Sequence, residues 1–252
     1  MRVALAYFGL TRSLRHTAAS IACNVEAPLA EAGAEVHRVG HFHRPALINN
    51  PRSGEHGVVP EEGDTPLLGL DTMIAEPQDP ALVAADWATC RTGQDAFGDG
   101  YRSLHNLCFQ LRSLRQVWSL AESALRPGDW VLFLRPDLLY LDRIDIPVLT
   151  RMLERTGTDL AVPSWQSWGG LNDRFALCRV EAAASYAKRA DHLGTMVSRF
   201  GAVHPESLLA YAVEASGLRA TTMDARAVRI RAGGQPAPQD LACFGGAAQT
   251  IA

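Results

Sequence analysis

The chain has 252 residues, 47% of them hydrophobic, and a formal net charge of −3. That is enough apolar side chain for one large domain or two small ones, and the near-neutral balance argues against a nucleic-acid or membrane-surface partner held by bulk charge. There is no 18-residue apolar run and no basic, apolar, small-residue leader, so a soluble, intracellular protein of the cytoplasm is the expectation.

Residues 2–9, RVALAYFG, form a near-continuous apolar run, as in a strand buried on both faces of a parallel sheet. Gly9 ends it, and LTRSLRHT leads into a predicted helix from about Leu14 to Asn24. Pro28 breaks or restarts that helix, and Gly33 closes it as a C-cap. AEVHRVGHFH, residues 34–43, reads as a second strand, so the first crossover should be parallel and right-handed. From about Arg44 to Gly100 the periodicity dissolves into Pro, Gly, Asn and Asp. This predicts a long irregular insertion, either a functional loop region or partly disordered. Order returns at residues 101–125, where Leu104, Leu107, Cys108, Leu111, Leu114, Trp118, Ala121 and Leu125 recur at helical spacing. Arg102, Gln110, Arg112, Ser113 and Gln116 occupy the other face.

Pro127–Asp129 makes a turn into a buried strand, Trp130–Leu134, and Pro147 opens a short helix to about Arg155. Residues 159–163 and 175–178 read as strands around a loop, 164–174. Residues 180–193 and 204–216 read as helices, the second with Pro205 in its first turn and Gly217 just past its end. The stretches 218–224 and 227–232 read as the last strands. Strands alternating with helices predict a single α/β domain over residues 1–231 with a mainly parallel sheet. The low-complexity sequence from Ala232 to Ala252 reads as a loosely held tail. The five cysteines, Cys23, Cys90, Cys108, Cys178 and Cys243, are odd in number and widely spaced, which predicts free buried thiols in a reducing compartment.

Ligands of open α/β sheets bind beyond the carboxyl ends of the strands, and three strands here end in polar sequence. The third ends at Arg135-Pro136-Asp137. A carboxylate at that place binds a hydroxyl pair, a metal on a phosphate, or a neighbouring arginine, and a solvated turn with an Arg–Asp pair is the plainer alternative. The first ends at GLTRS, where Gly9 allows a sharp turn and Thr11 and Arg12 can reach a phosphate or a base; neither a P-loop nor a dinucleotide fingerprint is present, and an ordinary strand-helix turn is the alternative. The fourth runs into WQSWGGLNDRFAL. Trp165 and Trp168 suit sugar rings, Gly169 and Gly170 allow close backbone approach, and Asn172 and Asp173 suit hydroxyl recognition; a tryptophan pair around a tight turn is the alternative. His204 and Glu206 flank a helix start, where capping competes with chemistry. His41 and His43 share one strand face, but no carboxylate stands in register with them in the sequence, so a metal site is not expected there.

In their order, AYFGLTRS, SIACNVEAPLAEAGAEV, QLRSLRQVWSL, FLRPDLLY, WGGLNDRFAL and HPESLLAYAV resemble bacterial sugar transferases of the GT-A type, the nucleotide-diphospho-sugar transferase superfamily. The likeness covers most of residues 2–231 and lies in order and spacing rather than in any one motif. It implies a GT-A-like, Rossmann-type, mostly parallel sheet flanked by helices, and transfer of a sugar from a nucleotide-sugar donor to a hydroxyl acceptor. In relatives this often serves cell-surface polysaccharide or glycoconjugate synthesis. The resemblance puts the nucleotide at Phe8, Gly9, Thr11 and Arg12. It puts Arg135-Pro136-Asp137 where relatives carry Asp-x-Asp, which binds the donor ribose and a Mn or Mg ion on the diphosphate. Asp137 would be the one carboxylate left for that metal, a poor dedicated site for a hard cation. Arg135, Arg12 or Arg112, joined by Arg231, would neutralise the diphosphate instead. The acceptor side falls on Trp165, Trp168, Gly169, Gly170, Asn172 and His204; whether the reaction inverts or retains is left open, and if it inverts, Asp173, ahead of Glu206, is the base for the acceptor hydroxyl. A nucleotidyltransferase and a non-catalytic carbohydrate- or nucleotide-binding domain are the alternatives, and homo-oligomerisation is left open.

Overall fold

The computed structural model describes residues 1–50, 54–60 and 63–244. Strand β1 (Arg2–Gly9) explains its continuous apolar run by facing two cores. Val3, Leu5 and Tyr7 pack into one, Ala4 and Phe8 into the other, and none of them meets solvent. Helix α1 (Leu14–Ile21) passes through a π-helical turn, Ala22–Glu26, into α2 (Ala27–Glu31). The helix therefore bulges past Asn24 instead of stopping there. Pro28 has no N–H for the Asn24 carbonyl four residues back, and that carbonyl accepts from the Ile144 N–H at 2.7 Å.

Strand β2 (Glu35–Arg44) lies parallel to β1, with His41 beside Phe8. Residues 44–100 are not the irregular insertion their composition predicts. β3 (Ile48–Asn50) and β4 (Glu55–Val58) pair antiparallel, β5 (Thr72–Pro77) joins the central sheet parallel to β2, and α3 (Ala84–Arg91) follows. β5 escapes a sequence reading because it is a short, largely exposed edge strand that ends in proline.

Helix α4 (Arg102–Glu122) packs across β1 and β2 as its periodicity predicts. Then come β6 (Trp130–Leu134), β7 (Leu138–Tyr140), α5 (Ile146–Thr156), β8 (Leu160–Pro163) and β9 (Ala176–Arg179). The single helix expected over 180–193 is two, α6 (Val180–Ala187) and α7 (Leu193–Phe200), separated by a 3-10 turn in which Arg189 is fully buried. The chain ends with α8 (Pro205–Ala215), β10 (Ala220–Met223), β11 (Ala227–Arg229) and α9 (Pro238–Ala242).

The fold is α/β: one seven-stranded sheet in the order β10-β8-β9-β6-β1-β2-β5, with β9 antiparallel to both neighbours and every other pairing parallel. β7 leaves the sheet to pair antiparallel with β11. The stretch after Ala232, read from composition as loosely held, is anchored up to Phe244: Asp240 is inaccessible and binds Arg229. Residues 245–252 lie outside the described residues. None of the cysteines is in a disulfide; Cys90, Cys108 and Cys178 are buried as expected, whereas Cys23 and Cys243 are exposed. Among the described residues no helix is long and apolar enough to cross a membrane.

Candidate active site

A cavity of about 750 Å³ opens where β1 and β6 end. Gly9 makes the turn out of β1 at φ +107, a conformation side-chain-bearing residues rarely adopt. Its N–H donates to Ser113 Oγ at 2.8 Å, which fixes the turn against α4. Gly9 and Arg12 line the cavity from β1, and Arg135 does so from β6.

Asp137 meets the Gly9 turn through Arg12 and does not itself line the cavity. Its carboxylate is 2% exposed. Arg135 Nε donates to Oδ1 at 2.9 Å, while Arg135 Nη2 and Arg12 Nη2 donate to Oδ2 at 2.7 and 2.9 Å. Burial alone would raise the Asp137 pKa, but the Arg135 and Arg12 guanidiniums hold it far below the usual carboxylate range. Arg12 Nη1 also donates to Glu55 Oε2 at 2.8 Å, and Arg231 Nη1 lies 3.8 Å from the same oxygen. A divalent metal does not fit at Asp137: among the described residues it belongs to no group of three metal-ligating side chains, and Arg12, Arg135 and Arg231 supply the positive charge already. The strand carries Asp137 to the crevice to hold arginines.

Those arginines are the dominant feature. Arg12, Arg135, Arg174, Arg229 and Arg231 all line the cavity. Arg229 forks onto Asp240 with two 2.8 Å hydrogen bonds, and Arg174 Nη2 reaches Asp240 at 3.4 Å and also bonds Gln166. Four buried guanidinium nitrogens of these five arginines have no hydrogen-bond partner among the described residues: Arg12 Nε, Arg174 Nε and Nη1, and Arg231 Nε. Burial, followed by Arg12 and Arg229, pulls the Arg231 pKa down to about 10, and burial with Arg229 lowers Arg174. Donors that are buried, unsatisfied and mutually repelling favour a bound polyanion.

The opposite wall comes from the loop 164–174 and the start of α8. Asp173 lines the cavity; its Oδ2 accepts from Gln110 Nε2 at 2.9 Å and from Arg189 Nη2 at 3.5 Å. Gln110 also takes Arg135 Nη1 on its oxygen at 3.0 Å, so one amide orders both walls. Glu206 lines the cavity, with His204 Nδ1 2.9 Å from its Oε2, and His204 stacks on Phe97. The loop is strained: Gln166 and Trp168 have φ of +48 and +45, and Trp168 projects at the lip, 62% exposed. Gly170 sits so close to α8 that a Cβ would lie 2.2 Å from the Glu206 carbonyl oxygen, which accepts from the Leu171 N–H. Gly170→Ala should therefore cost at least about 1–3 kcal/mol by overpacking backbone against backbone. A thermal melt unchanged from that of the parent would contradict this contact.

No protein-family model and no curated sequence matches the chain. The solved structures to which it is similar include two glycosyltransferases. Mouse xyloside xylosyltransferase 1, in its apo form, is 13% identical with a TM-score of 0.41, over 88% of this chain and 84% of that one. A glycosyltransferase involved in the glycosylation of the major capsid of PBCV-1 is 11% identical with a TM-score of 0.42, over 89% of this chain and 83% of that one.

Several residues singled out in the sequence lie elsewhere. Phe8 is wholly in the core, and Thr11 faces a smaller neighbouring hollow. Arg112 turns away to fork onto Glu76, at 2.8 and 3.1 Å. Trp165 is a structural side chain, donating to the Ala225 carbonyl at 2.8 Å and packing against Arg174 and Phe244. Asn172 is inaccessible and ties the loop together through the Trp165 carbonyl and the Arg174 N–H. Glu55, Arg189 and Asp240, which complete the charge network, carried no local signal, since a lone charged residue in a loop or tail is ordinarily solvated.

The sequence offered His41 and His43 no carboxylate, but β5 supplies one: Glu76 stands in register with His43. Glu76 Oε1 lies 3.3 Å from His41 Nε2 and 3.6 Å from His43 Nδ1. Burial pulls His41 down to about 4 against the pull of Glu76, and lowers His43 for the same reason.

Proposed function

We propose that the protein is a glycosyltransferase that takes a nucleoside-diphosphate sugar and passes the sugar to a hydroxyl acceptor. The observation that carries this reading is the group of buried, unsatisfied guanidinium N–H atoms beside the turn out of β1. A diphosphate offers the oxygen acceptors that Arg12, Arg174 and Arg231 lack. The motif order, which resembles GT-A transferases, agrees with it.

In the reaction, the acceptor oxygen bonds to the anomeric carbon as the bond from that carbon to the diphosphate breaks, leaving its electron pair on the nucleoside diphosphate. The arginine N–H groups stabilise that developing charge, the task a metal performs elsewhere. Asp173, with Oδ2 held by Gln110 and Arg189, takes the proton of the acceptor hydroxyl. Trp168 at the lip offers a ring face to the sugar.

Calorimetry against uridine, guanosine, cytidine and thymidine diphosphates, without added divalent cation, tests the proposal. One of them should bind, with Mn or Mg adding little. Arg231→Gln should weaken it about tenfold or more, since a hydrogen bond to a charged group contributes roughly 1.5–3 kcal/mol. Failure of all four to bind the folded protein would remove the donor, and binding only with Mn would remove the arginine cradle.

A further inference from the structure

We propose that His41, His43 and Glu76 form a zinc site that clamps the edge strand β5 to β2 and uses none of the arginines of the donor cradle, although His43 also lines its cavity. The two histidines alternate along β2 and so project from one face. Glu76 arrives from β5 beside His43. Among the described residues these ligand atoms all lie within 4.8 Å of one another.

The hydrogen bonds around the two rings decide where their protons sit. His43 Nε2 lies 3.1 Å from the Phe109 carbonyl oxygen, which only accepts, so Nε2 carries the proton. His41 Nδ1 lies 3.1 Å from Ser113 Oγ. That hydroxyl already donates its one proton to the His41 carbonyl at 2.6 Å and accepts from Gly9 N–H, so Nδ1 must be the donor. The nitrogens left with lone pairs, His41 Nε2 and His43 Nδ1, are the two that face Glu76 Oε1.

With both rings neutral, three acceptors thus converge with no proton between them. His43 Nδ1 has no hydrogen-bond partner although the side chain is 2% exposed. An unsatisfied buried acceptor aimed at a carboxylate is costly, and a cation between them removes the cost. The separations suit zinc: ligand atoms about 2.0–2.2 Å from a tetrahedral ion stand roughly 3.4 Å apart, against the 3.3 and 3.6 Å found. The outer contacts are those expected around such an ion, with a carbonyl and a hydroxyl orienting the rings and Arg112 orienting the carboxylate. The guanidinium opposes any dication, so affinity must come from the imidazoles. That selects zinc and disfavours magnesium and calcium, which prefer oxygen.

The test uses the full chain, freed of metal with a chelator and then dialysed. Zinc titrated by calorimetry should bind one ion per chain and raise the melting temperature; magnesium at the same concentration should do neither. Cobalt should give the intense visible bands of a tetrahedral site. Glu76→Gln and His43→Gln, each checked for folding by circular dichroism, should each weaken zinc at least tenfold. Absence of zinc binding to the folded parent protein, or binding that both variants retain, would overturn the site. The cobalt spectrum of the parent protein decides the matter even if neither variant folds. The readout is the metal itself, so it is independent of whether the cradle binds nucleotides.

Discussion

Asp137→Ala is expected to destabilise the protein strongly, and with it to lower activity. The substitution leaves Arg135 and Arg12 with guanidinium groups that lose their carboxylate partner inside the protein. Removing one partner of a buried ion pair costs about 3–5 kcal/mol, a large share of the roughly 5–15 kcal/mol that holds a domain together. Urea denaturation followed by fluorescence would read this as a large fall in midpoint. A midpoint equal to that of the parent chain would mean that the arginines do not depend on Asp137. The same carboxylate makes stability acid-sensitive. Its folded pKa lies below its unfolded value of about 3.9, so its contribution is complete at neutral pH. That contribution is lost progressively as the pH falls below that value towards the folded one. Asp137→Asn, which keeps the shape, should lose that part of the acid dependence together with the charge.

Asp173→Asn should act chiefly on turnover, with some loss of stability because buried Arg189 loses a charged partner. The amide keeps an oxygen for Gln110 but cannot take a proton, so kcat should fall about 10²- to 10⁴-fold while nucleotide affinity stays close to that of the parent chain. Glu206→Gln is the control. If it abolishes turnover and Asp173→Asn does not, the proton goes to the His204–Glu206 pair. The two variants together assign the base without depending on which sugar is moved.

The sheet was legible where periodicity and burial coincide. β1, β2, β6 and α4 stand within a few residues of their predicted places, because a strand buried on both faces and a helix with one apolar stripe each leave a clear pattern. β5 was not legible, and with it went Glu76. An exposed edge strand has no pattern to show, and a carboxylate 33 residues downstream of His43 becomes its neighbour only through parallel pairing. At the cavity, the sequence identified the segments better than the roles. Arg135-Pro136-Asp137 does stand at the crevice, yet the guanidinium faces the cavity and the carboxylate stands behind it. The order of side chains along a strand does not say which of two adjacent charges is outermost. In the same way Asn172 looked like a ligand for hydroxyls, and its position between two backbone groups of its own loop makes it a brace.

Asp240 follows every strand of the fold in the chain. Synthesis proceeds from the amino end, so all seven strands of the sheet have been made before this residue is added. Until it arrives, Arg229 has no carboxylate partner and Arg174 lacks one of its two anchors. The strands of the scaffold are thus made before the residue that completes one wall of the cavity.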